Sequence, residues 1–115
     1  MNKRFIFLMC LIAISLIRFA NAGCAAGMDG GNTTANPCLI TNCTQLQNMS
    51  LDLNGSFALA NDIDCGETAS WNTKSGFNPV GSTTTAFTGS FNGQGYNISN
   101  LFIKRASTSN VGLFG

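Results

Sequence analysis

The chain opens on an apolar block, Phe5 to Ile17, broken only by Ser15, with Lys3 and Arg4 before it and Arg18 after it. Ala20-Asn21-Ala22 follows as a small-x-small triplet. That order, positive then apolar then small-x-small, is read as a cleavable secretory signal peptide over residues 1–22, with cleavage between Ala22 and Gly23. The apolar block falls short of the roughly 20 residues that span a bilayer. No second apolar run occurs, so no membrane span is expected in the mature chain. A minor alternative is lipid anchoring at Cys24, for which Ala22-Gly23 is a weak match because Asn21 stands where such signals carry Leu.

After the signal the pattern changes three times. Residues 23–43 are expected to form a Gly/Asn-rich leader and N-terminal cap, because 23–37 are small and polar with no hydrophobic period. Thr44 to Leu53 is the one plausible helix: Thr44 can cap it, and Leu46, Met49 and Leu53 fall at i, i+3 and i+7. A turn followed by an irregular strand is the alternative for this stretch, and Asn54-Gly55 ends either. From Gly55 onward the apolar residues alternate with small polar ones, as in Phe57 and Leu59 followed by Ile63. Later apolar groups, such as Phe77 to Val80, Phe87 to Phe91, Tyr96 to Ile98 and Leu101 to Ile103, are separated by Gly, Asn, Ser or Thr.

Turns arrive too often here for a hairpin sandwich, whose turn signals are spaced about 8–12 residues apart. Short strands with tight polar corners predict the rungs of a solenoid. An internal echo fits: Asn54-Gly55-Ser56-Phe57 recurs as Thr88-Gly89-Ser90-Phe91.

Several strings now combine: Asn61-Asp62-Ile63-Asp64-Cys65, then Trp71, then Phe77-Asn78-Pro79-Val80-Gly81. They are followed by Phe87-Thr88-Gly89-Ser90-Phe91-Asn92-Gly93-Gln94-Gly95-Tyr96-Asn97-Ile98-Ser99-Asn100-Leu101-Phe102-Ile103 and a closing Val111-Gly112-Leu113-Phe114-Gly115. In this order they resemble the GLUG-repeat family of bacterial secreted and surface proteins, which includes filamentous-haemagglutinin-like adhesins and some secreted peptidases. The resemblance covers about residues 39–115. It implies an all-β fold, a right-handed parallel β-helix (solenoid), here incomplete at the C-terminus and preceded by a signal peptide helix. Residues 44–115 are accordingly expected to be a GLUG-like β-helix segment. Family members usually continue for many repeats, whereas this chain stops at its first Gly-Leu-Phe-Gly, as a fragment would. An apolar last rung, Leu101 to Phe114, predicts self-association through an open C-terminal edge.

Charge and composition narrow the chemistry. The mature chain would keep Lys74, Lys104 and Arg105 against Asp29, Asp52, Asp62, Asp64 and Glu67, a net charge of −2. There is no basic stripe, so no nucleic acid partner is expected. The absence of histidine removes the commonest general base and metal ligand. Cys10 leaves with the signal, and Cys24, Cys38, Cys43 and Cys65 form an even set in an oxidising compartment. Three pairings are open to four cysteines. We expect Cys43 to join Cys65 around the Thr44–Asp64 segment, with Cys24 and Cys38 as the second bridge.

Asp62 and Asp64, two apart in a strand-like run, place both carboxylates on one face. A Ca²⁺ site is one reading, and corner acids accepting backbone N–H groups is the favoured one. A glycoside-hydrolysing pair is disfavoured, because acids this close on one strand seldom flank a substrate. Trp71, in a polar loop, is either a sugar-stacking platform or, preferably, a lid over the interior. Asn92, Asn97 and Asn100 read as an Asn ladder at corners rather than as ligand contacts. Asn32, Asn42, Asn48, Asn54 and Asn97 stand in N-x-S/T strings that arise by chance in so Asn- and Thr-rich a chain. No catalytic residue, metal site or cofactor is expected. The expected function is a non-enzymatic, secreted or surface-exposed adhesin-type module for a cell-surface carbohydrate or protein ligand. The alternative is a non-catalytic segment of a secreted hydrolase or peptidase.

Overall fold

A computed structural model describes residues 23–25, 27–106 and 111–115; the expected signal peptide helix, residues 1–22, lies outside them. The first helix, α1 (Cys43–Asn48), starts where Asn42 caps it, its Oδ1 accepting the Gln45 N–H at 2.8 Å. A 3-10 turn, Met49–Leu51, prolongs it. Leu46 and Met49 turn fully inward, as their spacing predicts. The cap is Asn42 rather than Thr44, so the helix begins two residues earlier than a Thr44 cap would place it.

Five short strands follow the small-and-apolar alternation: β1 (Cys38–Ile40), β2 (Ser56–Leu59), β3 (Ile63–Asp64), β4 (Ser90–Asn92) and β5 (Ile98–Ser99). Every pairing between these five strands is parallel. One sheet has the order β1-β2-β4, with Cys38 opposite Phe57 and Phe57 opposite Phe91. A second, separate sheet pairs β3 with β5, Ile63 opposite Ile98. Parallel neighbours need long crossovers. Here α1 supplies one, and the 3-10 turn Gly66–Ser70 with the left-handed turn that follows it at 71–74 forms part of another.

This overturns the all-β, right-handed parallel β-helix expectation, along with the incomplete C-terminal rung attached to it. A solenoid repeats coils of similar length. Here the offset from β1 to β2 is 19 residues and that from β2 to β4 is 34. The strands reach only two to four residues, in two separate sheets, and helical turns interrupt them. The physical reason is local. Asn42 caps a helix, and the bridge between Cys43 and Cys65 fixes it beside β3. The stretches around Phe77 and Val80 make only isolated bridges, to Ile103 through Gly76 and to Phe114. What forms is a small mixed fold of parallel strands, short helical turns and two disulfides.

The core gathers Ile40, Leu46, Met49, Phe57, Leu59, Phe77 and Val80, each almost wholly excluded from solvent. Burying side chains of this size contributes roughly 1.5–3 kcal/mol each. Phe77 and Val80 reach the core from irregular backbone, held by the Phe77 N–H to Phe102 O bond (2.8 Å) and the Val80 N–H to Leu113 O bond (2.8 Å). Phe87 packs between Phe57 and Phe114, with ring centroids 6.2 and 5.0 Å away. Among the described residues no helix is long and apolar enough to cross a membrane.

Candidate functional site

Both disulfides form, Cys24 with Cys38 and Cys43 with Cys65. They belong to the framework: Cys38, Cys43 and Cys65 are buried in the core. The leader is held down further by Asn32. Its side-chain amide donates to Gly23 O (2.7 Å) and to Asp52 Oδ2 (2.8 Å), while its Oδ1 accepts the Ser56 N–H at the start of β2 (2.7 Å). This role was invisible in the sequence, where Asn32 is one polar residue among many.

The acid pair also holds structure together. Asp62 Oδ1 accepts the Asn97 N–H at 2.9 Å. Asp64 Oδ1 accepts the Gly66 N–H (2.9 Å) and the Asn100 side-chain amide (3.1 Å). The Asn100 amide, and then the Gly66 N–H, favour the ionised Asp64 and hold its carboxyl below the usual carboxylate range. Each acid therefore ties the β3 segment to the β5 segment. Asn92, Asn97 and Asn100 do not bond to one another as a ladder. Asn92 closes a local turn to the Gln94 N–H (3.0 Å), and the other two meet Asp62 and Asp64.

Trp71 has a different setting. It is half-buried, packs against the core, and lines an open cleft of about 410 Å³. One part of the wall comes from the end of α1 and the turn after it: Gln47, Asn48, Ser50 and Leu51. The other part comes from Trp71, Asn72 and Asn78. Gln47 joins the two. Its amide donates to Asn78 O and accepts the Asn78 N–H, both at 2.8 Å, across 31 residues. Among the described residues the side-chain amides of Asn48 and Asn78 have no hydrogen-bond partner, and none of the lining residues is ionisable. Sequence reasoning picked out Trp71 and missed Gln47, Leu51 and Asn78. The available signal was weak: polar residues on the outward side of α1, and an exposed Leu51.

The backbone beside Trp71 is unusual. Asn72, Thr73 and Lys74 all have positive φ, at 52°, 55° and 68°. A β-branched residue such as Thr73 rarely adopts this left-handed region. The turn is closed by the Asn72 amide on Gly76 O (2.7 Å) and by the Gly76 N–H on Trp71 O (3.0 Å). Strain of this sort, about 1–3 kcal/mol per residue, collects where a chain is shaped for binding.

Comparison with known proteins finds similarity to halomucin of Haloquadratum walsbyi, 45% identical over 91 residues, covering 75% of this chain and 1% of that protein. A protein of Evansella cellulosilytica named "Putative Gly-rich membrane protein" is 33% identical over 118 residues, covering 95% of this chain and 13% of that one. The chain thus spans only a small part of the curated relatives it matches. No family model and no solved structure matches the chain. Two formed disulfides are the chemistry of an oxidising compartment. With these likenesses, the location is secreted or at the cell surface.

Proposed function

We propose that the chain is an adhesin-type module of a secreted or surface protein, which binds host or cell-surface ligands and performs no reaction of its own. One observation carries this reading: three of the acids and all four cysteines of residues 23–115 are committed to holding the fold. Asp52, Asp62 and Asp64 accept structural hydrogen bonds, and the four cysteines are paired with one another. Among the groups that face solvent, the Trp71 cleft gathers an aromatic ring among amides. That combination suits recognition more than bond making. Similarity to short stretches of two much longer proteins is consistent with a module repeated or embedded in a larger chain.

The test is a paired assay on the oxidised chain. Saturable binding of the fluorescently labelled protein to whole cells or their extracted surface glycans, with no turnover of glycoside, ester or peptide substrates, is the expected result. Turnover that is lost in D62N or D64N while the fold persists would replace this reading with that of a hydrolase segment. Absence of any surface binding would equally overturn it.

A further inference from the structure

We propose that the cleft beside Trp71 is a binding site for an uncharged pyranose unit of a surface glycan. The proposal deepens the binding-module reading and rests on it.

A pyranose ring has two chemically different aspects. Its faces expose C–H groups, which carry slight positive charge and pack well on the negative face of an indole. Its edge carries hydroxyls, each both donor and acceptor, which suit carboxamides because an amide offers both roles in one plane. The cleft presents both kinds of partner. Trp71 is held in place by the core it packs against, so little side-chain entropy remains to be lost on binding. Asn48 and Asn78, whose side-chain amides have no partner among the described residues, stand on opposite parts of the wall.

The geometry is fixed in advance. Gln47 clamps the Asn78 backbone through two hydrogen bonds of 2.8 Å, which holds the two parts of the wall at a set spacing. The left-handed turn at Asn72 to Lys74 reverses the chain between Trp71 and Asn78, so that both line one cleft. The volume, about 410 Å³, falls within the roughly 300–1,000 Å³ of small-molecule sites. The lining also discriminates. With no ionisable residue in the wall, a uronate or sialate would lose hydration and gain no counter-charge. An apolar peptide would meet Leu51 and Trp71, but its side chains offer nothing to the amides of Asn48 and Asn78.

The sequence contains a single tryptophan, so intrinsic fluorescence reports on the cleft directly. The experiment titrates the oxidised chain with cellotetraose, mannotetraose, xylotetraose and N,N′-diacetylchitobiose, with tetragalacturonate and an apolar peptide in parallel. A saturable fluorescence change with at least one neutral saccharide, and none with tetragalacturonate or the peptide, is expected. Trp71→Ala, followed by calorimetry, is expected to weaken that affinity at least ~10-fold, the equivalent of about 1.4 kcal/mol. Because Trp71 also packs on the core, the double variant N48A/N78A serves as the fold-preserving check. It is expected to weaken binding while leaving the thermal midpoint unchanged. No response to any neutral saccharide, an equal response to tetragalacturonate or peptide, or unaltered affinity in N48A/N78A would overturn the site. If surface binding of the native chain persists in that event, the module reading stands and only the site is wrong; if surface binding is absent, the module reading falls as well.

Discussion

Asp64 accepts a hydrogen bond from the side-chain amide of Asn100 at 3.1 Å, joining positions 36 residues apart. With the Gly66 N–H it holds the carboxyl below its ordinary range. A lowered folded-state pKa means that the unfolded chain takes up its proton first. The stabilisation is therefore complete above the usual carboxylate range and is lost as pH falls through the lowered value. Melting temperatures between pH 7 and pH 2 should fall more steeply for the native chain than for D64N. Equal slopes would show that the contact is not made in solution.

Removing the bridge between Cys43 and Cys65 should be the costlier of single-disulfide deletions. It closes a separation of 22 residues against 14 for Cys24 with Cys38, and both its cysteines are buried. The chain-entropy model gives about 3 kcal/mol for a loop of this order. Urea unfolding of C43A/C65A against the native protein checks this, with C24A/C38A losing less.

A β-carbon at Gly89 would run into the carbonyl oxygen of Gly55, where backbone meets backbone and nothing flexible can yield. Gly89→Ala is expected to destabilise by at least about 1–3 kcal/mol, the range of overpacking. At Gly93 the same change meets nothing within 4 Å, so Gly93→Ala should be close to neutral. Chemical denaturation of the two variants side by side separates them.

These contacts also mark what the sequence made legible. The echo between residues 54–57 and 88–91 is a real contact: Ser56 lies opposite Ser90, Phe57 opposite Phe91, and Thr88 bonds Asn54. The inward Leu46 and Met49 followed from helical spacing, because periodicity is a local property. The fold class did not follow. Frequent turns and short strands are shared by solenoids and by small mixed folds, and only the unequal pairing offsets separate them. The cleft was half-legible. Trp71 stands out by type, but its partners depend on Gln47 meeting Asn78 across 31 residues, and no local pattern encodes that. The left-handed turn at Asn72 to Lys74 was hidden for a related reason: neither Thr nor Lys is a residue that announces positive φ.

β4 is the edge of its sheet, and Phe102, Val111 and Phe114 remain 37%, 43% and 38% exposed. An unpaired edge beside exposed apolar side chains favours association between copies. Light scattering of the oxidised chain should detect species larger than a monomer, and V111K/F114S should reduce them. A monodisperse native monomer would contradict this expectation.

Five long-range ties fall at nearly one offset: Thr88 with Asn54, Gln94 with Leu59, Asn97 with Asp62, Asn100 with Asp64 and Phe102 with Thr68 are all separated by 34 to 36 residues. Segment 88–102 is thus laid along segment 54–68 like a copy on a template. A chain crossing a membrane N-terminus first presents the template before the copy. The earlier segment, tied at Cys65 to Cys43, can then begin to order before the later one arrives. Order of emergence would then do for this protein what a chaperone does for others, supplying one surface to fold upon and deferring the slow non-local pairings until that surface exists.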